Sequence, residues 1–274
     1  MVKPSEDDDR THLMARVITN NGYEIGYTEV GSGDAVPIVF LHGVGSDKSV
    51  WHPQTRHFGG ERRAVAFDYP GYGESDPAPE GTTRDDFASA IISAMHELGI
   101  DRAHICGLSL GGVIAIAIHH AAPRRCASLI LADSFAVHPE GHAIYERSIA
   151  SSSDLEAMAR ARVDLLIAQP AQTAVRDEVI DTMSRIDPVA YRIGAEAVWL
   201  ADQRSRAERI DVATLVIVGD QDLVTPIELS SELVELIPAA RMQVIAGAGH
   251  LTNLEKPAEF NSIVDGFIAG LSSK

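Results

Sequence analysis

Short apolar runs recurring between helix-like stretches constrain this chain more than any other feature of its sequence. They are Ile38-Val39-Phe40-Leu41, Ala64-Val65-Ala66-Phe67, Ala103-His104-Ile105-Cys106, Leu129-Ile130-Leu131-Ala132, Leu215-Val216-Ile217-Val218 and Met242-Gln243-Val244-Ile245. Most are apolar at successive positions, so both faces of each strand must be covered, as in a parallel sheet between two layers of helices. Helical patterns lie between them. Phe87, Ile91, Ile92, Met95 and Leu98 share a face, Gly111 to Ala122 runs up to Pro123, and Phe260, Ile263, Val264, Phe267 and Ile268 repeat at helical spacing behind Pro257. This alternation predicts an α/β chain with a doubly wound, mostly parallel sheet.

The alternation stops from about Ala136 to Ala207, where helical segments follow one another with no strand-like run. Ser151-Ser152-Ser153-Asp154 has the composition of a helix N-cap, Gln169-Pro170 and Asp187-Pro188 mark helix boundaries, and Ala190 to Leu200 reads as a further helix. Residues 136–207 are therefore expected to form a helical lid inserted after the Leu129 strand, with 15–135 and 208–274 as one core. A chain of 274 residues is compatible with such a core plus an insertion. Ahead of it, Ala15 to Thr19 and Tyr23 to Val30 flank Asn20-Asn21-Gly22, which predicts a tight hairpin and an antiparallel ribbon. Residues 1–14, acidic through Glu6-Asp7-Asp8-Asp9, read as a flexible leader.

A net charge of −16 and a pI near 5.0 oppose capture of nucleic acid or of an anionic membrane, and no Lys/Arg cluster offsets them. No apolar run approaches the ~18 residues of a membrane helix, and the first residues lack a basic region, so a cytoplasmic protein acting on small molecules is expected. Cys106 and Cys126 form neither a disulfide framework nor a CxxC pair and read as buried thiols.

Gly107-Leu108-Ser109-Leu110-Gly111 fits a G-x-S-x-G elbow and sits between a predicted strand and a predicted helix, the context that motif requires. The alternative for Ser109 is a capping serine in a glycine-rich turn. A serine hydroxyl is a poor nucleophile near neutrality and needs a base within hydrogen-bond reach, itself oriented by an acid. Along such a chain the order is serine, acid, histidine. Of eleven histidines only His250 follows the last predicted strand, on the small-residue loop Ala246-Gly247-Ala248-Gly249-His250. The loop after the Leu215 strand offers both Asp220 and Asp222 at a strand's carboxyl end, and spacing alone does not choose between them. A turn-shaping role is the alternative for either, and the one expected for Asp220. Two backbone amides would complete the site as an oxyanion hole, from Leu110 after the serine and from Val44 in His42-Gly43-Val44-Gly45. His42 itself reads as a residue that pins its loop.

Taken in order, His42-Gly43, Asp68-Tyr69-Pro70-Gly71-Tyr72-Gly73-Glu74-Ser75-Asp76, the serine elbow, Gly219-Asp220-Gln221-Asp222 with Pro226, and Gly249-His250 resemble the α/β-hydrolase superfamily over nearly the whole chain after the leader. The resemblance implies a triad of Ser109, His250 and Asp222, the last falling where that superfamily places its acid, and it leaves Asp68 to Asp76 a structural loop. Within the superfamily, Ser49-Val50-Trp51-His52-Pro53-Gln54, Cys106 to Gly112, and Gly249 to Pro257 are similar to 3-oxoadipate enol-lactonases. The expected reaction is hydrolysis of a small ester or lactone through an acyl-enzyme, with no metal or organic cofactor. The alternatives are a carbon-carbon bond hydrolase of aromatic ring-cleavage products, in which a tryptophan often follows the histidine where this chain has Leu251-Thr252-Asn253, and a ligand receptor that retains the fold. The lid has few aromatics, Tyr145, Tyr191 and Trp199, which predicts a modest pocket. Of its arginines, among them Arg147, Arg160, Arg162, Arg176 and Arg192, Arg192 is the favoured residue to meet a substrate carboxylate, with Trp199 beside it in the pocket.

Overall fold

A computed structural model of the chain describes residues 13–19 and 22–272. Eight strands form one sheet: β1 (Leu13–Ile18), β2 (Glu24–Val30), β3 (Ile38–Leu41), β4 (Ala64–Phe67), β5 (Ala103–Leu108), β6 (Cys126–Ala132), β7 (Thr214–Gly219) and β8 (Ala240–Ile245). Around it lie α1 (His52–Phe58), α2 (Arg84–Glu97), α3 (Leu110–Ala121), α4 (Gly141–Ser151), α5 (Leu155–Leu166), α6 (Thr173–Ser184), α7 (Pro188–Trp199), α8 (Arg204–Ala207), α9 (Ile227–Leu236), α10 (Thr252–Glu255) and α11 (Pro257–Ser272).

The strand order is β1-β2-β4-β3-β5-β6-β7-β8. β1 and β2 pair antiparallel and β2 joins β4 antiparallel, while every later pairing is parallel. Alternate residues of the central strands pass to opposite sides. Val39, Leu41, Ile105, Leu131 and Val216 pack with Phe87, Ile91 and Val113 of α2 and α3. Ile38, Phe40, Cys106, Ile130 and Ile217 pack with Phe58, Phe260 and Val264 of α1 and α11. This period of two explains why the strand runs read as apolar throughout. β8 differs, because as an edge strand it has a neighbour on one side only and leaves Val244 exposed.

The helix boundaries follow local chemistry. Thr83 and Asp86 form a reciprocal capping box on α2, Asp154 accepts from the Ala157 N–H at the start of α5, and Asp187 accepts from Val189 and Ala190 at the start of α7. Residues 133–213, between β6 and β7, contain α4 to α8 and no strand. The expected hairpin pairs Ile18 with Glu24, while Asn20 and Asn21 of its turn lie outside the described residues, as does the expected leader apart from Leu13 and Met14 of β1. Both cysteines are free and buried. Among the described residues no helix is long and apolar enough to cross a membrane.

The Asp68 to Asp76 loop is built on a buried ion pair. Lys48 Nζ lies 2.7 Å from Asp68 Oδ2 and 3.0 Å from a Glu74 carboxylate oxygen, and Asp68 also accepts from the Lys48 and Glu74 backbone N–H groups. Removing one member of such a pair leaves an uncompensated charge. Asp68→Ala is expected to lower unfolding free energy by about 3–5 kcal/mol, read from urea denaturation. Glu74→Ala, whose carboxylate is partly solvated, should cost under about 1 kcal/mol.

Candidate active site

β5 ends at Leu108 and α3 begins at Leu110, so a single residue reverses the chain. That residue, Ser109, has φ 54° and ψ −113°, in the left-handed region that costs a non-glycine residue about 1–3 kcal/mol. The turn exists because its flanks carry no Cβ. One at Gly107 would overlap the Gly111 carbonyl, and one at Gly111 would overlap the carbonyl of Leu41. Ser109 N–H donates to the Ala132 carbonyl at 2.9 Å, and Ser134 Oγ donates to the Ser109 carbonyl at 2.8 Å, so both backbone groups are held. Although Ser109 stands at the N-cap position, its side chain makes no capping hydrogen bond. Ser109 lines a cavity of about 60 Å³ together with His250, Val44, Tyr191 and Trp199.

His250 and Asp222 come together from the ends of β8 and β7. His250 Nδ1 donates to Asp222 Oδ2 at 2.8 Å, and both residues are buried. Asp222 is fixed in turn by the Val224 and Thr225 N–H groups, each at 2.8 Å from Oδ1, and by Thr225 Oγ1 at 2.6 Å from Oδ2. Burial alone would lower the His250 pKa, but the charge and hydrogen bond of Asp222 outweigh it and hold the imidazole above its ordinary value. Burial would likewise raise Asp222, and His250 and Thr225 outweigh it to hold the carboxyl below its ordinary value. Asp220 does not join them. Its Oδ1 accepts the Gly247 N–H at 2.7 Å and ties the two loops together.

The loop after β3 is locked by aromatic and imidazole groups. His42 Nδ1 donates to the Gly43 carbonyl at 2.8 Å, its ring packs against Tyr69 and Tyr72, and burial lowers its pKa. Ser46 N–H also donates to the Gly43 carbonyl, at 3.3 Å. In a trans peptide the N–H points opposite to the C=O, so these two bonds set the direction of the Val44 N–H. Tyr72 Oη donates to the Val44 carbonyl, anchoring the far side of that residue. Leu110, as the first residue of α3, has an N–H with no intrahelical acceptor.

Arg192 lies elsewhere than expected. It is exposed, and its Nε donates to Ser152 Oγ at 2.8 Å beside the end of α4. The cavity face of α7 carries Tyr191 and Trp199, and a neighbouring position is rotated by about 100° about the helix axis. The arginine at the cavity is Arg162 of α5, with Glu178 of α6 also on the lining. Arg162 donates to Tyr191 Oη at 3.1 Å. By contrast Arg160 pairs with Glu156 and Arg176 with Asp164.

Two carboxyls that carry no motif of their own organise the loops behind the site. Asp133, at the end of β6 with φ 47°, accepts from the Gly219 N–H at 3.1 Å and from Thr252 Oγ1 at 2.6 Å, joining the strand before Asp222 to the helix after His250. Burial, and then the charge of Asp222, push its pKa well above the ordinary range. Glu255 accepts from the Gly249 N–H at 2.9 Å and the Ala168 N–H at 2.7 Å, while the His250 N–H donates to the Leu166 carbonyl at 2.9 Å. The histidine loop is thereby fastened to the end of α5. Among the described residues no cluster of three or more His, Cys, Asp or Glu is arranged to hold a metal ion.

Comparison with known proteins agrees with this architecture. The profile of the alpha/beta hydrolase family matches residues 38–263. The chain is 28% identical over 269 residues to 3-oxoadipate enol-lactonase 1 of Acinetobacter baylyi, covering 95% of this chain and 99% of that one. It is 28% identical over 265 residues to a 2-hydroxy-6-oxononadienedioate/2-hydroxy-6-oxononatrienedioate hydrolase of Pseudomonas putida, covering 89% and 91%. The crystal structure of an enol-lactonase from Burkholderia xenovorans superposes with a TM-score of 0.86 at 28% identity, over 93% of this chain and 100% of that one.

The imidazole titration separates the two aspartates without reference to turnover. The charged His250–Asp222 pair should stabilise the fold between the lowered Asp222 and raised His250 pKa values, its contribution lost as pH rises through the histidine value or falls through the aspartate value. By NMR, His250 should titrate above 6.5 in the parent and fall in Asp222→Asn, where burial is no longer outweighed. Asp220→Asn should leave it in place. A shift in the second variant and none in the first would remove Asp222 from this role.

Proposed function

Because this chain belongs to the alpha/beta hydrolase family, we propose that it hydrolyses a small ester or lactone through an acyl-enzyme formed on Ser109. The observation that carries this reading is the placement of Ser109, strained into a left-handed turn, on the same cavity as His250, whose Nδ1 is held by Asp222. With Nδ1 donating to Asp222, the neutral ring offers Nε2 as the proton acceptor. Ser109 Oγ attacks the carbonyl carbon as His250 takes its proton, and the N–H groups of Leu110 and Val44 stabilise the tetrahedral oxyanion. His250 returns the proton to the departing alkoxide oxygen, which leaves as an alcohol or, from a lactone, stays tethered as a hydroxyl. Water then attacks the acyl-serine with His250 as base, releasing the acid and free Ser109. Asp222 keeps its charge throughout and stabilises the imidazolium.

The helices between β6 and β7 act as a lid. Arg162, Val179, Met183, Tyr191 and Trp199 close the cavity over Ser109. Its volume of about 60 Å³ suits a short acyl group at the reacting carbon. The enol-lactonase relatives support lactone or ester chemistry. The Pseudomonas putida hydrolase keeps carbon-carbon cleavage as the second reading, although Leu251-Thr252-Asn253 follow His250 here without a tryptophan.

A panel of p-nitrophenyl esters, lactones, enol-lactones and ring-cleavage dienones tests the reading. Ester or lactone turnover should fall by roughly 10³-fold or more in Ser109→Ala with the circular dichroism spectrum unchanged, and by a similar factor in Asp222→Asn. Acyl chains longer than about eight carbons should be poor substrates. Since the base must be neutral, kcat/KM should rise as pH climbs through a value above 6.5. Turnover of the dienones alone would favour the carbon-carbon reading, and binding without turnover on any substrate would favour a receptor.

A further inference from the structure

The wall of the Ser109 cavity is mostly apolar, and several of its polar groups are already engaged. Ser109 and His250 belong to the proposed chemistry, Arg162 donates to Tyr191 Oη and Ser148 Oγ, and Ser46 Oγ donates to the Asp47 carbonyl at 3.3 Å. α6 supplies two that are not engaged. Glu178 and Thr182 both line the cavity, and among the described residues neither the Glu178 carboxylate nor the Thr182 hydroxyl forms a hydrogen bond or ion pair. The arginines on and beside this helix are held elsewhere, Arg176 by Asp164 and Arg185 by Asp181.

Their spacing makes the two residues a pair. Positions 178 and 182 are four apart in α6, so they stand on one face with about 5–6 Å between Cβ atoms. Glu178 is exposed and Thr182 is only 6% exposed, so the pair leads from solvent into the cavity. A hydroxyl buried without a partner has lost its hydrogen bonds to water and gained none in return. At Glu178, burial and then the charge of Asp47 raise the pKa, and no cation offsets them.

The two side chains need different complements. An ionised carboxylate only accepts, whereas the Thr182 O–H is satisfied by donating. A ligand ammonium would serve Glu178 but could not accept from Thr182, and a ligand carbonyl would accept from Thr182 but offer Glu178 nothing. A hydroxyl does both, and two O–H···O bonds of about 2.7–2.8 Å let one oxygen bridge groups at this spacing. The Trp199 indole N–H, also without a partner, adds only a further donor, on α7.

We propose that Glu178 and Thr182 are specificity-determining residues that bind a hydroxyl group carried by the substrate, while the reacting carbonyl lies at Ser109. The substrate class is a small hydroxy ester or hydroxy lactone. This deepens the ester-or-lactone reading and rests on it for the role of Ser109, but the binding it requires is independent of turnover.

Two pairs of esters in which a methyl group replaces the hydroxyl test the assignment. Ethyl 3-hydroxybutyrate against ethyl 3-methylbutyrate probes the acyl side, and 2-hydroxypropyl butyrate against isobutyl butyrate probes the alcohol side. By titration calorimetry, the Ser109→Ala protein should bind the hydroxyl member of at least one pair about fivefold or more tightly than its methyl counterpart. Adding Thr182→Val should remove about fivefold of that preference, Thr182→Ser should restore most of it, and Glu178→Ala should remove about tenfold, since its bond is charge-assisted. The methyl compounds should bind equally in all variants, which shows the cavity intact. No preference in either pair, a preference that survives Thr182→Val, or equal weakening of both members would overturn the assignment. If p-nitrophenyl butyrate is turned over in a Ser109-dependent manner while the hydroxyl preference ignores Thr182, the hydrolase reading stands and the assignment falls. If no ester is turned over but the Thr182-dependent preference appears, the assignment stands and the hydrolase reading falls.

Discussion

The central strands are dry on both faces, and the rest of the molecule follows from keeping them so. Ile38 and Phe40 go to one layer while Val39 and Leu41 go to the other, and β5, β6 and β7 repeat the division. A sheet buried in this way needs helices on each side, and parallel strands need a crossover before the chain can return. Every crossover brings the chain back in the same direction, so β3, β5, β6, β7 and β8 all end at one edge. Ser109, Asp133, Asp222, His250 and Val44 gather there because each stands just beyond a strand end, in a connection free of the hydrogen-bonding demands of the sheet.

At that edge three buried carboxyls stand where an apolar interior would not tolerate them alone, and each is matched. Asp222 is satisfied by two N–H groups, a hydroxyl and an imidazole, Asp133 by Gly219 and Thr252, and Glu255 by three backbone N–H groups. A charge pair formed in such surroundings is held by its neighbours as much as by its own attraction. The network also explains the ordering of the acids. Asp222 shares its charge with an imidazole and is pulled down despite its burial, whereas Asp133 is pushed up by burial first and by the field of Asp222 second.

Much of this was readable in the sequence where a single residue type has one physical use. Gly107 and Gly111 announce a turn that no other residue fits, and the flanking apolar runs say what the turn connects. The strand positions were readable for the same reason, since four apolar residues in succession leave no exposed face. The two aspartates were different. Asp220 and Asp222 stand at the same strand end with the same alternation, and only the path of the backbone sends one carboxylate to Gly247 and the other to His250. Arg192 and Arg162 were unreadable for a related reason, because which arginine meets the cavity depends on how α5 and α7 are rotated against one another. Asp133 carried no signal at all, since its left-handed backbone and its two partners from distant loops appear only once the sheet is assembled.

The fastening of the histidine loop to α5 bears on how a ligand can enter. His250 rests on the Leu166 carbonyl, and Glu255 bridges Gly249 to Ala168, so the carboxyl end of α5 and the His250 loop form one strut. Any admission route that displaced this end of α5 would drag His250 away from Ser109 at the same moment. Entry that leaves His250 in place must therefore come from side-chain rotation at the cavity wall or from movement of α6 or α7. In this architecture opening the cavity and holding His250 are mechanically linked on one side and independent on the other.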